Sequence, residues 1–183
     1  MEEHIPDEVI MQHVKDGNLT EMSVLFERYH LRLYNFFLQL GLKPDASQDL
    51  TQNLFYRLLK YRKSYKSGSS VKSWIYQIAR NLHVDFRIQQ KKADELLMIT
   101  DNYPVEVSDE GDGYTAEQYD NLELALSALT DDQKEIIVLS RYQGLKYHEI
   151  SPIVNQSVPA IKVAMHRAFK RLRSIYFKQY NTK

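Results

Sequence analysis

The chain has 183 residues, 43% hydrophobic and 26% charged, a balance that suits one ordinary globular domain or two small ones and excludes a disordered chain. It has no cysteine, no apolar run near the roughly 18 residues of a membrane span, and an acidic start, MEEHIPDEV. Disulfides, thiolate metal sites, a signal peptide and membrane insertion are therefore excluded from the expectation, which is a cytoplasmic protein. The formal net charge is zero, yet the charges are segregated: Arg57 to Lys92 holds ten bases and one acid, Ala93 to Asn121 nine acids and no base, and Ile161 to Lys183 seven bases and no acid. Such blocks suggest two cationic surfaces joined by an acidic strap, against the plain alternative of solvated helix faces.

The pattern is helical almost throughout. A short helix is expected near Asp7 to Val14. Met22, Leu25, Phe26, Tyr29, Leu33, Phe36, Phe37 and Leu40 recur at steps of three and four, which predicts one long helix, with Thr20 as its cap and Gly41 at its end. Asp45 and Gln48 have the spacing of a capping box for a helix reaching about Lys63, with Leu50, Leu54, Leu58 and Leu59 on its apolar face. The loop YKSGSSVKSW, from Tyr65 to Trp74, reads as small and flexible. Beyond it Val71, Trp74, Ile75, Ile78, Ala79, Leu82 and Phe86 repeat the helical spacing to about Gln90.

Residues 93 to 118 carry Pro104, Gly111 and Gly113 among acids without periodicity, the pattern of a linker. A second helical unit is expected from Gln118. Thr130 and Gln133 form a further capping-box pattern, for a helix holding Ile136, Ile137 and Leu139 and ending near Gly144. No strand-period alternation is present. The fold class is all-α: two small helical domains, 1–92 and 119–183, joined by an acidic linker, 93–118.

GLKYHEISPIVNQSVPAIKVAMHRAFKRLR has the shape of a helix-turn-helix. Tyr147 to Val154 makes a short helix, Asn155-Gln156 the turn, and Ser157 the cap of a second helix with Pro159 in its first turn. Val158, Ile161, Met165 and Phe169 or Leu172 can face inward, leaving Lys162, Val163, His166, Arg167 and Lys170 outward. A cationic second helix after a tight turn suits the major groove, whereas an ordinary helical hairpin with a basic face is the bland reading. His83 and His166 stand at no metal spacing, and HEI lacks the second histidine of a zinc-protease helix, so no cofactor and no catalytic residue is expected.

With both halves read, the chain resembles the extracytoplasmic-function (ECF) group of bacterial sigma factors. DASQDLTQNLFYRLLKYRKSYKSGSSVKSWIYQIARNLHVDFRIQQKK is similar to sigma region 2, and LSALTDDQKEIIVLSRYQGLKYHEISPIVNQSVPAIKVAMHRAFKRLR to sigma region 4. The resemblance implies core RNA polymerase, promoter DNA and an anti-sigma protein as partners. It assigns polymerase binding to Asp49, Gln52 and Asn53. Capture of the −10 strand falls to the loop, Tyr65, Lys66, Ser67, Gly68, Ser69 and Val71, with Lys72, Arg80 and Asn81 on the next helix. Reading of the −35 duplex falls to Lys162, Val163, His166 and Arg167, with Ser157 and Lys170 beside them. This chain departs from the pattern at Asn53, where an acid is usual, at Lys146, Pro152 and Asn155 in the helix-turn-helix, and at Ala164, where arginine is frequent.

Residue chemistry points the same way, because stacking on aromatics flanked by bases favours single strands. Tyr65, Tyr61, Tyr76 and Trp74 are candidates, with Tyr65 the expected stacking ring and Trp74 expected in the core. Three rival readings remain: a helix-turn-helix regulator that ignores polymerase, a nuclease, for which the acids lie in the wrong place, and a sigma-like decoy.

Overall fold

In the computed structural model of the chain, residues 5–97 and 129–180 are described. They fall into two compact units, and every regular element in them is helical. The N-terminal unit holds α1 (Asp7–Asp16), α2 (Met22–Gln39), α3 (Pro44–Tyr61) and α4 (Val71–Leu97). The C-terminal unit holds α5 (Asp131–Ile137), α6 (Tyr147–Val154) and α7 (Val158–Tyr180). The expected helix start at Gln118 and most of the acidic linker lie outside the described residues.

The apolar stripes of α2, α3 and α4 meet in one core, where Leu25, Leu33, Phe36, Leu54, Leu58 and Ile75 are fully buried. The Phe36 ring meets Tyr76 edge-on at 5.3 Å, the geometry aromatic quadrupoles favour. Helix α1 is tied to α2 by Asp7, whose carboxylate accepts from Arg28 and from the Tyr29 hydroxyl. Burial and the hydrogen bond to Asp7 hold the Tyr29 phenol far above its ordinary range, and burial does the same to Tyr76.

Several boundaries differ from the sequence expectation. Thr20 lies in a 3-10 turn, Leu19–Glu21, that precedes α2, and its hydroxyl bonds Asn18 instead of capping the helix. Helix α3 starts at Pro44 after Lys43; proline at the first position needs no N–H there and presets φ, so the Asp45–Gln48 box is not used. It ends at Tyr61, and a 3-10 turn, Arg62–Ser64, follows. Helix α4 runs past Gln90 to Leu97. Gly41 ends α2 as expected: at φ 93° it lets the Leu42 N–H reach Phe37 O (3.2 Å) and its own N–H reach Leu38 O (2.8 Å).

In the C-terminal unit the Thr130–Gln133 capping box is complete, at 3.3 Å in both directions. Helix α5 widens into a π turn over Val138–Tyr142, with Gln143 N–H on Val138 O at 3.0 Å. Its residues Ile136 and Ile137 share the core of the unit with Ile150 of α6 and Ile161, Met165 and Ala168 of α7.

Candidate polymerase and nucleic-acid surfaces

Helix α3 separates two chemistries by helical period. Leu50, Leu54 and Leu58 face the core, and Asp49, Gln52 and Asn53 stand exposed on the other side. Positions 49, 52 and 53 share one face of the helix. The three residues of the expected polymerase surface are thus gathered on one exposed face.

The loop after α3 is not slack. Its hydrogen bonds form a closed turn: Ser69 N–H and Ser69 Oγ both donate to Lys66 O (3.0 and 2.6 Å), with Gly68 at φ 83° in the open. The Tyr65 hydroxyl reaches across the same turn to Ser69 O at 2.5 Å. Helix α1 holds the outside of the loop. Lys15 Nζ donates to Tyr65 O (2.8 Å) and Ser67 Oγ (3.1 Å), Ser67 Oγ donates to Gln12 Oε1 (2.7 Å), and Val71 N–H donates to Glu8 Oε1 (3.2 Å). Ser70 caps α4 through the Ser73 N–H at 3.2 Å.

The burial expected of Tyr65 and Trp74 differs from what is found. Tyr65 is 1% exposed, and burial raises its phenol; its ring fills the space under the turn and offers no free face to a base. Val71, first residue of α4, is likewise fully buried, so its side chain belongs to the core and not to a DNA surface. Trp74 packs on Tyr65 at 5.3 Å but is only half-buried. Its remaining surface lines an open pocket of about 240 Å³, together with Arg57, Tyr61, Ser64, Gln77, Ile78 and Asn81. Lys66, Ser67 and Gly68 are exposed beside it in sequence, and Lys72 and Arg80 are half-buried.

The pocket comes from two stripes at helical spacing: 57, 61 and 64 on the end of α3 and the turn after it, and 74, 77, 78 and 81 on α4. Both stripes are visible in the sequence, but they mean a pocket only once α3 and α4 are known to be packed side by side. Arg57 also pairs with Asp85 across the two helices at 3.6 Å. Outside the pocket Lys60 Nζ lies over the Tyr56 and Tyr61 rings, at 5.9 and 5.5 Å from their centroids. An aromatic, amide and cationic lining of this kind suits a flat, polar-edged ring next to a phosphate.

The helix-turn-helix has the expected form. Glu149 accepts the Lys146 N–H at 2.7 Å, the half of a capping box that the third helical residue supplies, and the Glu149 N–H, which a Ser or Thr cap would have bonded, turns to Lys146 O at 2.9 Å. Pro152 is exposed on α6, where the carbonyl it leaves unbonded can meet water. Asn155 adopts the left-handed conformation at φ 53°, and the Gln156 N–H closes the turn on Ser151 O at 3.2 Å. Ser157 then caps α7 through the Ala160 N–H at 3.3 Å. Lys162, Val163, His166, Arg167 and Lys170 are all exposed. Leu172 is half-buried and Phe169 is exposed, with the Arg141 guanidinium 5.2 Å above its ring. Among the described residues no cluster of His, Asp or Glu could hold a metal ion, and no helix is long and apolar enough to cross a membrane.

Two helical units, the first with an open pocket lined in part by aromatic rings and the second with a basic helix-turn-helix, fit a DNA-binding transcription factor. Family models refine the class: sigma-70 region 2 matches residues 25–93 and sigma-70 region 4 matches residues 119–172. The ECF RNA polymerase sigma factor SigX of Bacillus subtilis is 30% identical over 157 residues, spanning 82% of this chain and 81% of SigX. SigM of the same organism is 28% identical over 168 residues, spanning 86% of this chain and 96% of SigM. Among solved structures, the sigma factor RpoE of Bartonella quintana, in complex with the anti-sigma factor NepR, superposes with a TM-score of 0.68 at 25% identity, covering 84% of this chain and 94% of RpoE. CnrH, in complex with the cytosolic domain of CnrY, shares the fold at a TM-score of 0.70 and 18% identity, covering 92% of this chain and 96% of CnrH. The chain belongs to the ECF RNA polymerase sigma factors. It acts through RNA polymerase in transcription initiation and is not a stand-alone helix-turn-helix regulator.

Proposed function

We propose that the two units divide promoter recognition between them. The unit within residues 1–92 docks on core polymerase through Asp49, Gln52 and Asn53 and takes the unpaired −10 strand. The pocket between α3 and α4 receives a base, with Trp74 and Tyr61 as stacking surfaces and Asn81 and Gln77 as hydrogen-bonding partners. Lys66, Lys72 and Arg80 hold the adjoining phosphates, and Ser67, Gly68 and Ser69 give the loop backbone its closest approach. The unit within 119–183 lays α7 in the −35 major groove, with Lys162, Val163, His166 and Arg167 toward base edges and Ser157 and Lys170 toward phosphates. Residues 93–118 link the two.

The observation that carries this reading is the pocket, because it joins aromatic, amide and cationic side chains on the unit that matches region 2. Stacking contributes about 1–3 kcal/mol per base, enough to offset a mean base step of about 1.4 kcal/mol. Strand opening of this kind is binding work and requires no covalent chemistry. By likeness to RpoE, solved with NepR, an anti-sigma protein holds the chain inactive.

The test is run-off transcription by core polymerase and this chain on a promoter library. A subset of promoters sharing one −35 and −10 pair should be transcribed only when the chain is present. Duplex binding without any promoter-dependent transcript would make it a sigma-like decoy.

A further inference from the structure

Residues 7–16 lie before the region 2 match, which begins at residue 25, yet they make the long-range bonds that fix the loop. Glu8, Gln12 and Lys15 stand at successive turns on one face of α1. They meet, in order, the Val71 N–H, the Ser67 hydroxyl, and the Tyr65 carbonyl with Ser67 Oγ. The two segments run antiparallel, so one helix face tracks the loop from its far end to its near end. Ser67 Oγ is the middle of a relay, accepting from Lys15 and donating to Gln12. Glu8 adds a carboxylate at the N-terminus of α4, where negative charge is favoured.

We infer that α1 is a clasp, and that Glu8, Gln12 and Lys15 are positioning residues for −10 strand capture. The inference rests on the proposal that the loop segment from Lys66 to Ser69 engages that strand. A Gly/Ser loop left to itself would lose much conformational freedom on gripping DNA, at about 1–2 kcal/mol per residue fixed. The α1 clasp makes that loss part of folding, so the loop meets the strand already shaped. Lys66 and Gly68 stay exposed while Tyr65 and Ser67 are tied down, so the held atoms are not the ones offered to DNA.

The experiment uses holoenzyme assembled with the full chain and measures affinity for a single-stranded −10 oligonucleotide and for a −35 duplex. Amide exchange of the loop in the full free chain is read alongside. Gln12→Met changes no charge, so a weakening there cannot come from a missing phosphate partner; Lys15→Met removes two bonds and keeps the apolar stem. Both should speed exchange at residues 66–70. Lys15→Met should weaken single-strand binding by about tenfold, the factor one charge-assisted hydrogen bond carries, and Gln12→Met by a few-fold. Duplex affinity should stay within about twofold and Lys15→Arg should restore much of the loss. Faster exchange with unchanged single-strand affinity would overturn the inference, as would unchanged exchange. A Lys66→Ala, Lys72→Ala double variant tests the underlying reading separately. If it keeps full single-strand affinity the loop does not engage the strand; if it loses affinity while both α1 variants keep it, only the clasp is wrong.

Discussion

At the residue scale the instructive pair is Tyr65 and Trp74. The apolar stripe of α4 includes Trp74, and the loop edge includes Tyr65, so periodicity points to a buried tryptophan and an exposed tyrosine. The order is the reverse because a loop can fold its own aromatic inward when the hydroxyl finds a backbone carbonyl, here Ser69 O. A tryptophan on a stripe can keep one edge free where it lines a pocket between two packed helices. Neither outcome is encoded in spacing. Tyr29 gives a prediction at this scale. Its buried phenol donates to Asp7, and its ionisation is pushed above the ordinary value near 10. The protonated form is the stabilising one, so its contribution is complete below about pH 10 and fades as pH climbs toward the raised folded value. Chemical denaturation should show Tyr29→Phe costing about 1–2 kcal/mol at neutral pH and weakening less than wild type above pH 10.

Among the elements, the helix-turn-helix was legible almost residue by residue. Tyr147–Val154 and its turn follow the expectation because each signal is local: Asn155 tolerates positive φ, Ser157 caps, and Pro159 sits where no N–H is needed. Helix α3 was less legible, since proline at its first position overrides the nearby Asp–Gln pattern. The clasp from α1 was not legible at all, because its bonds join residues separated by 50 to 63 positions. For α7 the exposed row of bases predicts a salt signature. Lys162→Ala and Arg167→Ala should each weaken −35 duplex binding. Lys170→Ala, which removes a proposed phosphate contact, should in addition lower the slope of log affinity against log salt by about 0.9. A titration at several salt concentrations reads both quantities. A lowered slope at Arg167 would place it on a phosphate and not on the base edge proposed for it.

For the whole molecule, zero net charge is an average that conceals the division of labour. The first basic block covers the end of α3, the loop and α4, and the second covers α7, so each unit carries its own cationic surface. That segregation is readable from the chain alone, as is the all-helical class, because both depend on composition and period and not on tertiary packing. What the chain alone does not reveal is which stripes converge on a pocket, since that depends on how α3 and α4 pack.

The central claim is that the first unit opens the −10 strand and the second holds the −35 duplex. The most direct measurement is permanganate reactivity of −10 thymines, beside closed-complex affinity, in holoenzyme carrying Asn81→Ala or the Lys162→Ala, Arg167→Ala pair. Asn81→Ala should cut thymine reactivity by about tenfold, the factor of one hydrogen bond to a base, while closed-complex affinity is kept. The α7 pair should lower closed-complex affinity first. Wild-type thymine reactivity in Asn81→Ala, or the same loss of both quantities in both variants, would contradict the account.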